Sequence, residues 1–163
     1  MPHRALCPGS FDPVTNGHLD VIERTSALFE QVFVTIFFNT VKVPLFAPEE
    51  RMDLLRQATA HLPNVVVDGA TGLLAQYAQA HEIGVVVRGL RAVSDFEYEF
   101  AMAEMNKQVY GELETLFMMA RPPHSYLSST LVREVAQWGG DVRGFVPDCV
   151  ARALQQRFGG EPR

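Results

Sequence analysis

Seven consecutive residues, Val32-Phe33-Val34-Thr35-Ile36-Phe37-Phe38, constrain the fold more than any other part of the chain. All but Thr35 are apolar, and nearly all are β-branched or aromatic. A strand with one face in water alternates apolar and polar positions, and this run does not. Both of its faces must be covered, which is the signature of a parallel sheet flanked by helices.

The rest of the sequence supplies the other parts of such a sheet. Strands are predicted at Ala5-Leu6-Cys7, at Val65-Val66-Val67, at Val85-Val86-Val87 and over 115–119. Between them lie helical periodicities. Leu19, Val21, Ile22, Leu28 and Phe29 share one face; Leu54, Leu55, Ala58 and Leu62 share another, in a helix opened by Pro48-Glu49-Glu50; Leu73, Leu74, Tyr77 and Ala78 form a third. Ser94 and Glu97 have capping-box spacing for a long helix reaching about Val109. A helix over about 129–138 is closed by Gly139-Gly140, and Pro147 opens a last one carrying Val150, Leu154 and Phe158. Strands alternating with helices predict an α/β fold, a Rossmann-like doubly wound parallel sheet of about five strands in a single domain over 1–163, with a tail after about 158. Ligands of such sheets bind at the carboxyl ends of the strands, near the point where strand order reverses.

Composition narrows the function. The net charge of −5 argues against a generic nucleic-acid binder, which is normally basic. An acidic protein can still hold a nucleotide with a few local cations and backbone amides. Cys7 and Cys149 have no metal or redox spacing. The run 32–38 is far short of the roughly 18 residues that span a bilayer. The start of the chain lacks the apolar core of about 7–15 residues that marks a signal peptide. The expectation is a cytoplasmic protein with no nucleic-acid or membrane partner.

The loops at the strand ends carry the chemistry. After the first strand comes Gly9-Ser10-Phe11-Asp12-Pro13-Val14-Thr15-Asn16-Gly17-His18, running into a helix start. Free amides and the dipole there favour a phosphate, and Gly17 allows it close to the backbone. The spacing is neither that of a P-loop nor G-x-G-x-x-G. Lys42 follows the second strand, and Arg88 and Arg91 flank Gly89 after the fourth. Arginines in that position suit bidentate phosphate contacts, or else ion pairs to Asp95, Glu97 or Glu99. Ser128, Ser129 and Thr130 suit a helix cap and an anion site together, because both use the same exposed amides. On pattern alone Leu74 is a core residue and Glu99 a surface acid. Met102, Met105, Met118 and Met119 are expected in the core or in subunit contacts.

Thr15-Asn16-Gly17-His18 resembles the [H/T]-x-G-H signature of the nucleotidyltransferase superfamily, and the wider segment 8–18 is similar to the bacterial phosphopantetheine adenylyltransferase family. Asn39-Thr40-Val41-Lys42, the segment from Arg88 to Glu99, and Ser128-Ser129-Thr130-Leu131-Val132-Arg133 carry the same resemblance, in order and each at a strand's carboxyl end. It implies transfer of AMP from ATP to 4′-phosphopantetheine, giving dephospho-coenzyme A and pyrophosphate. By resemblance the catalytic residues are His18, Ser10, Lys42 and Arg91. ATP would be held by Ser10, Phe11, His18, Gly89, Leu90, Arg91, Glu99, His124, Ser125, Tyr126, Leu127, Ser128, Ser129 and Thr130. The acceptor would be held by Ser10, Lys42, Leu74 and Arg88. Mg²⁺ would accompany ATP without a protein metal site, and the assembly would be a homohexamer. The chain departs from the family pattern at Val43, where a second lysine is usual, at Gly72, where some members have an acid, and at Cys7, where an aromatic is common.

The acceptor is itself an ionised phosphate and needs no general base. The motif residues include no strong covalent nucleophile, so direct in-line attack is the expected route. Two other readings remain open on sequence: a nucleotidyltransferase acting on nicotinate mononucleotide or forming a CDP-alcohol, and a non-catalytic nucleotide-sensing domain on the same fold.

Overall fold

The computed structural model describes residues 3–38 and 43–159. Lys42, and with it the segment 39–42, lies outside the described residues, as does the tail from 160 onward. The strands are β1 (Arg4–Gly9), β2 (Gln31–Phe37), β3 (Val65–Ala70), β4 (Val85–Leu90) and β5 (Glu114–Met119). The helices are α1 (Asn16–Ser26), α2 (Pro48–Ala58), α3 (Leu74–Ala80), α4 (Val93–Val109), α5 (Ser129–Gln137) and α6 (Asp148–Phe158), with a short 3₁₀ turn at Pro122–His124. All strand pairs are parallel, in the order β3-β2-β1-β4-β5. This is the predicted α/β architecture.

Alternation along the strands divides the core between the two faces. Ala5, Cys7, Val32, Val34, Ile36, Val85 and Val87 pack on one side, against Ile22 of α1, Leu55 of α2, Val132 of α5 and Leu154 of α6. Leu6 and Val86 point the other way, against Ala75 and Ala78 of α3, with Ile83 and Leu113. Phe33 joins this second cluster, so β2 is covered on both faces, as its unbroken apolar run required.

Strand order reverses between β1 and β4, and there the pairing is incomplete. β1 pairs with β2 at every position from Arg4 to Gly9, but with β4 only at Ala5 and Leu6. Beyond Leu6 the two strands part, and the crevice opens between their carboxyl ends.

Some local expectations are corrected. α1 stops at Ser26, so Leu28 and Phe29 lie beyond it, Leu28 in solvent and Phe29 against the core. Leu62 likewise falls past the end of α2. Apolar spacing continues through the turn that follows each helix and so overstates helix length. The Ser94–Glu97 capping box does not form. α4 begins two residues earlier than that box requires, with Ala92 at the cap and no side-chain cap bond; the Asp95 carboxylate instead accepts from the Arg91 backbone amide. α4 also has no buried residue in the single chain. Phe96, Tyr98, Phe100, Met102 and Met105 are all exposed, together with Leu116 and Met119 of the edge strand β5. Of Met102, Met105, Met118 and Met119, only Met118 packs against the core. No helix among the described residues is long and apolar enough to cross a membrane.

Leu55 is fully buried where α2 meets the sheet. Leu55→Ala should lower the unfolding free energy by about 2–5 kcal/mol, measured by urea denaturation.

Candidate active site

The crevice between β1 and β4 widens into a cavity of about 490 Å³. Its wall takes in the loop after β1, the first turn of α1, the end of β4 with Arg88 and Arg91, His124, the start of α5, and Arg51 from α2. The position follows from the topology, because a doubly wound sheet leaves its crevice where neighbouring connections run to opposite faces.

His18 is held at this crevice by a reciprocal cap. The Thr15 hydroxyl accepts from the His18 amide at 3.3 Å, and the Thr15 amide donates to His18 Nδ1 at 3.0 Å. An acceptor nitrogen carries no proton, so the neutral ring must be protonated at Nε2. The edge of the ring meets Phe11, with centroids 5.1 Å apart and planes at 77°. Phe11 adopts φ of +45° although bulky, and its ring lies over Gly9, where any Cβ would come within 2.9 Å of it. A non-glycine residue in that region costs on the order of 1–3 kcal/mol, held here by burial of the ring. Desolvation, followed by the charges of Arg88 and Arg91, lowers the His18 pKa to about 4. His18 is therefore a neutral hydrogen-bond donor at physiological pH. Of the first three amides of α1, Asn16 donates to the Phe145 carbonyl and His18 to Thr15, which leaves the Gly17 amide for a ligand.

The arginines around it are oriented by acids and carbonyls. Arg88 makes a bidentate pair with Glu99, at 2.8 Å from Nε and 2.7 Å from Nη2, and its Nη1 donates to the Pro8 carbonyl at 2.9 Å. Guanidinium has five N–H donors, so two remain for a phosphate. Arg91 pairs with Asp95 and donates to the Leu127 carbonyl at 3.0 Å. Asp12 accepts from the amides of Leu45 and Phe46 at 2.8 and 2.9 Å and from Arg133 at 3.0 Å. Ser128 caps α5 through the Leu131 amide, while the Ser129 hydroxyl donates to the Pro13 carbonyl at 2.7 Å.

The cavity thus gathers Ser10, Phe11, His18, Arg88, Gly89, Arg91, Glu99, His124, Leu127, Ser128, Ser129 and Thr130. Leu90, Ser125 and Tyr126 are not in its wall, and Leu74 packs against the second core cluster, next to Leu73, which is exposed at the start of α3. Four charged residues of the wall were not singled out from the sequence as site residues: Asp12, Arg51, Asp95 and Arg133. Arg51 did carry a signal. It sits in register with Leu54, Leu55 and Ala58 at helical spacing, which puts a cation on the buried face of α2. Among the described residues no group of three or more His, Cys, Asp or Glu is placed to hold a metal.

A fold of this order with an H-x-G-H-like helix start and cations at the reversal point is that of a nucleotidyltransferase. The sequence profile of the family described as cytidylyltransferase-like matches residues 6–135. The chain is also 53% identical, over 95% of its length and 97% of the relative's, to the phosphopantetheine adenylyltransferase of Streptomyces coelicolor (strain ATCC BAA-471 / A3(2) / M145). The chain belongs to the cytidylyltransferase-like nucleotidyltransferases and, among these, to the phosphopantetheine adenylyltransferase family.

The His18 environment makes a prediction. A histidine with its folded pKa depressed from 6.5 to about 4 contributes stability that is present above pH 6.5 and lost as pH falls toward 4. ¹⁵N-detected NMR should show His18 protonated at Nε2 at neutral pH and titrating near 4. His18→Gln should flatten the stability–pH curve in that window; a ring titrating near 6.5 would contradict the assigned environment.

Proposed function

We propose that this enzyme transfers AMP from ATP to 4′-phosphopantetheine, giving dephospho-coenzyme A and pyrophosphate, a step of coenzyme A biosynthesis. The relative's name supports the choice of substrates, and the neutral, Nε2-protonated His18 at the mouth of the β1–β4 crevice is the observation that carries the chemistry. A phosphate oxygen of the acceptor attacks the α-phosphorus of ATP in line. The bond from that phosphorus to the α,β-bridging oxygen breaks, and pyrophosphate leaves. The attacking phosphate is already ionised, so no proton has to be removed. A neutral His18 suits this, since its task is to donate, not to accept.

The roles divide by position. His18 Nε2–H, the Gly17 amide and the Ser10 hydroxyl serve the α-phosphoryl oxygens as their charge grows in the transition state. Arg88, aimed by Glu99, spends its two remaining N–H groups on the acceptor's phosphate, with Lys42 as a second cation there. Arg91 and the start of α5, with Ser128, Ser129 and Thr130, take the β and γ phosphates. His124 and Leu127, with Gly89, bound the rest of the nucleotide; the family resemblance alone adds Leu90, Ser125 and Tyr126 there, and Leu74 for the pantetheine arm. No protein thiol is used. Burial pushes the Cys7 thiol up to about 12, and Cys149 is raised for the same reason, so neither is a thiolate nucleophile.

The carboxylates of the wall are already taken by arginines or backbone amides. Mg²⁺ therefore arrives as part of the substrate, on the phosphate oxygens and water of magnesium-ATP. The exposed apolar face of α4 and β5 supports a homo-oligomer, a hexamer by family resemblance, working in the cytoplasm where ATP and the acceptor are found.

Three measurements check this reading. Pyrophosphate release with ATP should require 4′-phosphopantetheine; release with nicotinate mononucleotide or a phospho-alcohol instead would reassign the acceptor. His18→Ala should lower kcat by about 10²–10³ with little change in ATP binding. Val109→Glu with Leu116→Glu should dissociate the assembly, seen as a smaller sedimentation coefficient.

A further inference from the structure

Among the described residues, Arg51 is the arginine of the cavity wall without a counter-charge. It is 4% exposed, its Nη1 donates to the Ser10 carbonyl at 3.1 Å, and its guanidinium lies 5.1 Å over the Phe38 ring. Its Nε is buried with no hydrogen-bond partner among the described residues. The nearby acids are engaged elsewhere: Glu50 accepts from the Ala47 amide and pairs with Arg157 at 2.8 Å, while Asp53 faces Arg56 at 3.9 Å. Every other arginine in the cavity wall, Arg88, Arg91 and Arg133, has a carboxylate. A buried, uncompensated cation is costly to keep, by several kcal/mol in general. A carbonyl and an aromatic face offset part of that, and neither carries a full negative charge. The missing charge has one available source, because Arg51 lines the cavity into which two polyanionic substrates are bound.

We infer that Arg51 is a further binding residue for the phosphate of the acceptor, completed as an ion pair only when that substrate is present. The inference rests on the acceptor proposed above. The acceptor, not ATP, is favoured by position. Arg51 enters the wall at the carboxyl end of β1, through Ser10, and the wall there continues with Val43 and Pro44, next in sequence to Lys42. The distal phosphates of ATP have the start of α5 and Arg91 on the far side of the crevice. The Ser10 carbonyl also sets the direction of Arg51, so the residue placed at the α-phosphate and the cation placed at the attacking phosphate are mechanically joined.

The test compares 4′-phosphopantetheine with pantetheine, which lacks the phosphate, by calorimetry on the full-length wild type, Arg51→Met and Arg51→Lys. The wild type should prefer the phosphorylated ligand. Arg51→Met should bind 4′-phosphopantetheine about 10- to 100-fold more weakly with pantetheine unchanged, and Arg51→Lys should recover part of the loss. The ligand-free Tm of Arg51→Met should be unchanged or raised, since a buried charge has been removed. A lowered ligand-free Tm with the phosphate preference intact in both variants would make Arg51 a structural strut and overturn the inference alone. A wild type with no phosphate preference would overturn the acceptor reading and the Arg51 inference together.

Discussion

The Asp12 carboxylate is the joint on which the site depends. One side chain receives the amides of Leu45 and Phe46, from the connection between β2 and α2, and the guanidinium of Arg133, from α5. It belongs itself to the loop after β1, so three segments distant in sequence meet on two oxygens. These segments all border the cavity: the loop leading to His18, the connection with Val43 and Pro44, and the helix start with Ser128, Ser129 and Thr130. Bonds to an ionised acceptor are worth about twice neutral ones, and a carboxylate nine-tenths buried can hold them without competition from water. Phe46 beneath it is 2% exposed, so the amide that Asp12 receives is anchored from the core. The bonds from Ser129 to the Pro13 carbonyl and from Arg51 to the Ser10 carbonyl add further ties between the same walls.

Placed on that frame, the charges of the cavity fall into two kinds. Arg88, Arg91 and Arg133 are held by Glu99, Asp95 and Asp12, which fixes their directions before any ligand arrives. Fixed donors need little reorganisation when phosphate charge develops. Arg51 has only a carbonyl and a ring. The same burial and positive field that make an uncompensated arginine costly keep His18 neutral, because an imidazolium beside Arg88 and Arg91 would add a third positive charge. The cavity thus combines oriented cations with an uncharged histidine, which fits the proposed transfer of an adenylyl group between anions with no proton removed.

Much of this was legible in the sequence because it is governed by local pattern. The seven-residue apolar run implied a doubly covered strand, and β2 is one. The loop from Gly9 to His18 implied an anion site, and it borders the cavity at the point of strand reversal. What the pattern missed depends on partners brought from far away. Ser94 and Glu97 have the right spacing for a cap, yet Asp95 is drawn to Arg91 at the strand end and α4 starts at Val93 instead. Asp12 and Arg133 are 121 positions apart, and no short window could join them. Arg51 was visible as a cation on an apolar helical stripe, but its meaning required the absence of a carboxylate, which only three-dimensional structure can give.

α4 shows how the same physics extends past the single chain. Its hydrophobicity has almost no preferred direction, and Phe96, Tyr98, Phe100, Met102 and Met105 stay exposed on it. Asp95, Glu97, Glu99, Glu104 and Lys107 are interspersed with them, and an exposed apolar set of this size is the kind of surface that a further contact covers. Two of the helix's carboxylates reach the site: Asp95 pairs with Arg91, and Glu99 grips Arg88 at the end of β4. Any contact that fixes the outer face of α4 thereby also fixes the carboxylate that aims Arg88. Glu99 thus links α4 to the direction of Arg88, so the placement of this helix bears on the geometry of the crevice.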